Sequence, residues 1–219
     1  MLLNTKKTNG MIFNFCKEFQ FTSRIQLESE IIEIVSETKL LGVIVNSNLS
    51  WDENTKHLVK KANARMRILH KLVSFSVPRE DLLNIYILYI RSIRKQSCQV
   101  WHSSLTLENI QNLERIQKNA LKIILQDSYQ DYSNALSISG LKSLVERRNE
   151  LCLRFAKSCV KNELLKSMFP LNEASNRCNM QTRNREKFKV THCKTNRLQN
   201  SAIPFMQHLL NTELQDCKK

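Results

Sequence analysis

The stretch SWDENTKHLVKKANARMRILHKLV, residues 50–73, decides how the rest of the chain is read. Ser50-Trp51-Asp52-Glu53 has the spacing of a capping box: the serine hydroxyl can accept from the amide of Glu53, whose carboxylate can reach back to the serine amide. A helix is therefore predicted from Trp51 to about Val73. Counting at about 100° per residue puts Val59, Ala62, Met66, Leu69 and Val73 on one side and Lys56, Lys60, Arg67 and Lys71 on the other. No acid interrupts the run from Lys56 to Lys71. One face packs; the other is cationic, either as a solvated helix face or as a surface for a polyanion.

Downstream the helical pattern continues. Pro78 stands where a helix would start, and Leu82, Ile85, Tyr86, Tyr89, Ile90 and Ile93 follow at spacings of three and four. Thr106 is placed to cap a third helix with the stripe Leu107, Ile110, Leu113, Ile116, Ala120 and Ile124. Gly140 precedes a fourth, in which Leu141, Leu144, Leu151, Phe155 and Ala156 pack and Arg147, Arg148 and Arg154 stay mostly exposed. Trp101, next to His102, reads as a packing anchor. Beyond Asn172 the run RCNMQTRNREKFKVTHCKTNR carries seven Lys or Arg against one Glu and reads as a basic strap. A short apolar helix around Phe205 to Leu214 ends the chain.

Upstream the residues alternate instead. Met11, Phe13 and Phe15 suggest one strand, Ile25 and Leu27 a second, Ile32, Ile34 and Val35 a third, and TKLLGVIVNS (38–47) a fourth. The expected fold class is α+β and mostly α. A small antiparallel β segment (1–49) leads into a helical bundle (50–171), then a basic arm with a short terminal helix (172–219). Glycine and proline, three of each in 219 residues, are too scarce for an all-β fold.

The formal net charge of +14 points to a polyanionic partner, with nucleic acid first because counterion release drives such binding. No apolar run of about 18 residues is present, so no membrane partner is expected. Seven cysteines without a framework suit an intracellular chain, nuclear or cytoplasmic, with Cys152 and Cys159 as core residues. Cys178, His192 and Cys193 lack the paired spacing of a zinc site. Phosphate-loop, nucleophile-elbow and His-Glu-x-x-His motifs are missing, and no pair of aspartates ends a predicted strand as a two-metal site requires.

Five segments in order carry a resemblance: LNTKKTNGMIF (3–13), TKLLGVIVNSNLSWDENTKHLVKKANARM (38–66), VWHSSLTLENIQNLERIQKNALKIIL (100–125), LKSLVERRNELCLRFAKSCVKN (141–162) and RLQNSAIPFMQHLLN (197–211). Together they resemble the C-terminal half of reverse transcriptases from jockey-like, LINE-type non-LTR retrotransposons. The resemblance implies that the chain starts after the Tyr/Phe-x-Asp-Asp hairpin of the polymerase palm. Asn4, Lys7 and Thr8 match the motif that follows it, whose lysine is thought to protonate departing pyrophosphate. Read without the family, Lys7 is a solvated lysine at a strand start. Leu40, Leu41 and Gly42 match the primer-grip hairpin, although Gly42 alone equally suits a bulge. The helices from Ser50 to about Leu125 would be the thumb, with Lys56, Lys60, Arg67 and Lys71 along the template-primer backbone. Arg94, Lys95 and Gln96 depart from the family by placing charge where an apolar side chain is usual.

The implied function is a fragment of an RNA-directed DNA polymerase, inactive alone, with magnesium belonging to the complete enzyme and not to this chain. Its implied partners are an RNA or DNA template-primer duplex and the remaining palm and fingers. A stand-alone basic nucleic-acid-binding protein, or a piece of an intact polymerase, are the other readings.

Overall fold

In a computed structural model, residues 8–16, 24–27, 30–95, 97–172 and 187–216 are described. The chain divides into two compact units, Met1–Leu58 and Val59–Lys219. It is mostly helical, with small sheets of two strands each.

In the first unit, β1 (Asn9–Gly10) pairs parallel with β4 (Glu33–Ile34), while β2 (Gln26–Leu27) and β3 (Glu30–Ile31) pair antiparallel. The segment is thus not wholly antiparallel. Nor do Met11, Phe13 and Phe15 form a strand: pairing stops at Gly10, whose carbonyl accepts from Val35 at 2.8 Å, and Phe13 and Phe15 are exposed. Alternation predicts a buried face only where neighbouring strands cover it, and none of the described strands does so here. The stretch read as one fourth strand is a hairpin of β5 (Glu37–Leu40) and β6 (Val43–Asn46), with Leu40 opposite Val43 and Glu37 opposite Asn46. Leu41 (φ 48°) and Gly42 (φ 88°) form its two-residue turn. Positive φ at both positions is the type I′ geometry that matches strand twist, so Gly42 closes a turn and marks no bulge.

Helix α1 spans Asp52–Ser74, within a residue of the prediction at each end. Its start is built differently. The Ser50 hydroxyl donates to the Asp52 carboxylate, the Ser50 amide donates to Asn46 Oδ1 at 2.7 Å, and Glu53 turns outward to Lys56. Asn46 takes the place of Glu53 because the hairpin brings its amide within reach. Asn54 Oδ1, in the first turn, accepts from the Ile44 amide at 3.2 Å and ties the hairpin to the helix start.

In the second unit, α2 (Arg79–Ile85) runs into a π turn (Tyr86–Ile90) and a 3₁₀ turn (Arg91–Lys95). The π turn adds backbone per turn and shifts the phase of the helix. Tyr86, Ile90 and Ile93 stay buried, but Tyr89, expected in the core, is rotated out. The side chains of Arg94, Lys95 and Gln96 lie outside the described part. After α3 (Cys98–Trp101) and a 3₁₀ turn (His102–Ser104) comes α4 (Leu107–Leu125), capped by Thr106, whose hydroxyl accepts from the Asn109 amide at 3.2 Å. Leu113, Ile116, Ala120 and Ile124 are buried as predicted, Ile110 is half-buried, and Leu107 is exposed because it occupies the open first turn.

Helix α5 (Tyr132–Ser139), which the hydrophobic pattern did not announce, is capped by Asp131. Gly140 (φ 61°) ends it in a Schellman motif, with Leu141 donating to the Leu136 carbonyl at 3.0 Å and Gly140 to that of Ser137 at 3.2 Å. Gly140 therefore closes α5. Helix α6 (Leu144–Lys161) begins three residues later at a reciprocal capping box between Ser143 and Glu146.

The short α7 (Asn196–Gln199) and α8 (Ala202–Asp216) follow. Helix α8 packs on α6 around Cys152, Ala156, Cys159, Phe169, Phe188, Met206 and Leu210. Both cysteines expected in the core are there; Phe155, also expected, is partly exposed. Leu171 and Phe188 form an isolated antiparallel bridge. Residues 173–186, which include the first part of the basic strap, lie outside the described residues, as does Lys7. Among the described residues no helix is long and apolar enough to cross a membrane.

Candidate nucleic-acid interface

The cationic residues of α1 separate by role. Ala62, Met66 and Leu69 are buried, and Lys60, Arg67 and Lys71 project from the opposite side, all exposed. Lys56 is exposed too, but its ammonium stands 2.5 Å from the Glu53 carboxylate, an i, i+3 pair that offsets its charge. Arg65, on the flank, is committed elsewhere: its guanidinium carbon sits 4.0 Å from the Tyr89 ring centre and one of its nitrogens donates to the Tyr89 carbonyl. Tyr89, turned outward by the π segment, is what captures it. Lys60, Arg67 and Lys71 thus remain as the outward line of charge, with no acid between them along α1.

At the hairpin tip Leu41 is 87% exposed, beside Gly42. These two belong to the first unit, and Lys60, Arg67 and Lys71 to the second.

A buried polar network ties the helices of the second unit together. Gln117 Oε1 accepts from Tyr86 Oη at 2.9 Å and from Arg91 Nε at 3.2 Å. Its Nε2 donates to Tyr132 Oη at 3.0 Å and to the Lys142 carbonyl at 3.1 Å. Arg91 also donates to that carbonyl, at 2.8 Å, and Tyr132 donates to Glu114. Burial first, then the Glu114 carboxylate, push the Tyr132 phenol far above its usual range, so it stays a donor.

A second cluster overturns one expectation. Arg148, expected to be exposed, is buried at 1% exposure on α6, with its Nε donating to His102 Nδ1 at 3.0 Å and its guanidinium carbon 5.9 Å from the Trp101 ring centre. Trp101 is buried, as a packing anchor should be. Since Nδ1 accepts, the ring proton is on Nε2, which donates to Asn149 Oδ1 at 2.7 Å. Burial first and the Arg148 charge second lower the His102 pKa to about 4, against the opposing Asn149 hydrogen bond. His102 is a neutral structural histidine, with Phe205 edge-on at 5.8 Å.

At the C-terminal end, Asn211 acts as a surrogate strand. It accepts from the Phe188 amide and donates to the Phe188 carbonyl, both at 2.9 Å, while Gln207 Oε1 accepts from the Thr191 amide at 2.8 Å. Lys187 and Lys189, on either side of buried Phe188, are exposed. No group of three His, Cys, Asp or Glu among the described residues is placed to hold a metal ion. Sequence reading missed the polar residues that flank the α1 face, Asn63 and His70 on α1 with Asn119 and Lys122 on α4, because nothing local indicates that these helices approach each other. The chain matches no protein-family model, no characterised protein and no solved structure among those compared with it.

Proposed function

We propose that this chain is the primer-grip end and thumb of an RNA-directed DNA polymerase of the jockey-like non-LTR class, and that it holds template-primer through the backbone. The observation that carries the reading is the α1 face of Lys60, Arg67 and Lys71, exposed and opposite buried Ala62, Met66 and Leu69 on a helix with no acid between positions 56 and 71. Cations at helical spacing follow a line of phosphates without reading bases. Leu41 and Gly42, at the tip of a tight hairpin, would place backbone at the primer strand. Nucleotidyl transfer, its magnesium ions and any role for Lys7 as proton donor belong to the assembled enzyme, whose palm aspartates and fingers would be the partners of this chain.

The test is binding of duplex DNA across a salt series. Three phosphate contacts contribute about −2.7 to the slope of log K against log salt, so K60A/R67A/K71A should flatten the wild-type slope by about that amount. Over a fourfold rise in salt, the lost contribution is about fortyfold in affinity. An unchanged slope would overturn the assignment of the face. The exposed Lys187 and Lys189, on either side of the Phe188 that Asn211 holds, favour a second reading, a stand-alone nucleic-acid-binding protein. Restored primer extension on adding the palm and fingers supports the first reading; undiminished binding with no such restoration supports the second.

A further inference from the structure

Helices α1 and α4 enclose a groove of about 370 Å³ lined by Asn63, Met66, His70, Asn119, Lys122 and Ile123. That volume lies at the small end of ligand sites, about 300–1,000 Å³. Its lining is sorted. Met66, buried, and Ile123, half-buried, supply an apolar floor, while two amides, an imidazole and an ammonium stand exposed around it. Among the described residues no hydrogen bond or ion pair occupies the side chains of Asn63, His70, Asn119 or Lys122.

We infer that this groove receives one unpaired nucleotide of a bound strand, its ring face on Met66 and Ile123 and its edge toward Asn63 and Asn119. This rests on the nucleic-acid reading above and adds to it the form of the ligand. The apolar floor calls for a flat apolar face, and the amides for a neighbouring edge with both donors and acceptors; a nucleobase has both. In a duplex that face is stacked and the pairing edge engaged, leaving only the groove edges accessible, so the base must be unpaired. Placement on the helix agrees. Asn63 follows Lys60 by three residues and precedes Arg67 by four, so two cations of the proposed phosphate line flank the amide on the helix surface. Lys122 lies across the groove for a further phosphate. Nothing in the lining is acidic.

Fluorescence anisotropy with two labelled DNAs tests this: a blunt duplex, and the same duplex with one unpaired terminal nucleotide. The wild-type chain should prefer the second by about tenfold, the scale of one base stacked on a protein surface. N63L/N119L replaces two exposed amides by side chains of similar size and should abolish the preference, read as the ratio of the variant's own affinities for the two DNAs. K61E, on the other shoulder of α1, should weaken both DNAs equally. Circular dichroism shows that each variant is folded. Equal wild-type affinity for the two DNAs, or a preference that survives N63L/N119L, overturns the inference while the phosphate line stands. If the wild type binds neither DNA, the reading beneath it fails as well.

Discussion

Acid should destabilise the helical unit in a way traceable to one residue. His102 has a folded pKa near 4 against an ordinary 6.5, because it is buried and because Arg148 presses a positive charge on it. The unfolded chain takes up a proton at about pH 6.5, and the folded one does not until about pH 4. The stabilising contribution is therefore complete above pH 6.5 and is lost as the pH falls toward 4. Linkage over these two pKa values gives a loss of about 2 kcal/mol between pH 7 and pH 5, rising to about 3 kcal/mol below pH 4. The measurement is urea unfolding followed by far-UV circular dichroism from pH 7 to 4.5, for the wild type and for His102→Asn. The variant loses the edge contact with Phe205 and should be less stable at pH 7, but its pH slope should be shallower by about 2 kcal/mol over the interval. Other titrating groups are common to both proteins and cancel in the difference. Parallel slopes would refute the reasoning, as would an NMR titration placing His102 near 6.5.

Three other outcomes follow from the same geometry. Gln117→Leu strips partners from Tyr86, Arg91, Tyr132 and the Lys142 carbonyl at once and should cost about 3 kcal/mol, read as a lower urea midpoint without a change in m-value. Leu41→Asn relieves a left-handed leucine at φ 48° and should raise hairpin stability by about 1 kcal/mol, seen as slower hydrogen exchange at Val43 and Leu40, whereas Gly42→Ala at φ 88° should do the opposite. Asn211→Ala removes both hydrogen bonds to Phe188 and should cost about 2 kcal/mol, with faster tryptic cleavage after Lys187 and Lys189 as the readout.

What could be read from the sequence was what local rules decide. The bounds of α1 and the Thr106 cap of α4 follow from a few adjacent residues and a repeating stripe, and both appear where expected. Tyr89 fails because the π turn that rotates it is set by packing from outside its own segment. Arg148 fails for a related reason: burying a guanidinium depends on acceptors elsewhere in the chain, here His102, 46 positions away. The same applies to Phe13 and Phe15, where a strand pattern has no described neighbour to cover it. In the candidate interface, the outward line of α1 was legible from spacing alone. The pairing of Lys56 with Glu53 is not decided by sequence, because the same Glu53 also fits a capping box with Ser50, a place that Asn46 takes in the structure.

The net charge of +14 is divided between two jobs, and the division bears on specificity. Arginine does much of the structural work. Arg91 bridges Gln117 and a backbone carbonyl, Arg148 holds His102, and Arg65 stacks on Tyr89, tasks that use a planar fork of donors on a weakly hydrated cation. Lysine supplies most of the outward charge, at 60, 61 and 71 on α1 and at 187 and 189 near the C-terminus. A lysine ammonium is a compact, strongly hydrated point charge that meets a phosphate from many directions, and it lacks the paired geometry that picks out a guanine edge. On the proposed function, such a surface would hold a strand in place and read little from it. Whatever selectivity the chain has should then arise from the shape of the strand, paired or unpaired, at the amide-lined groove, and substituting Arg67 by lysine should leave duplex affinity nearly unchanged.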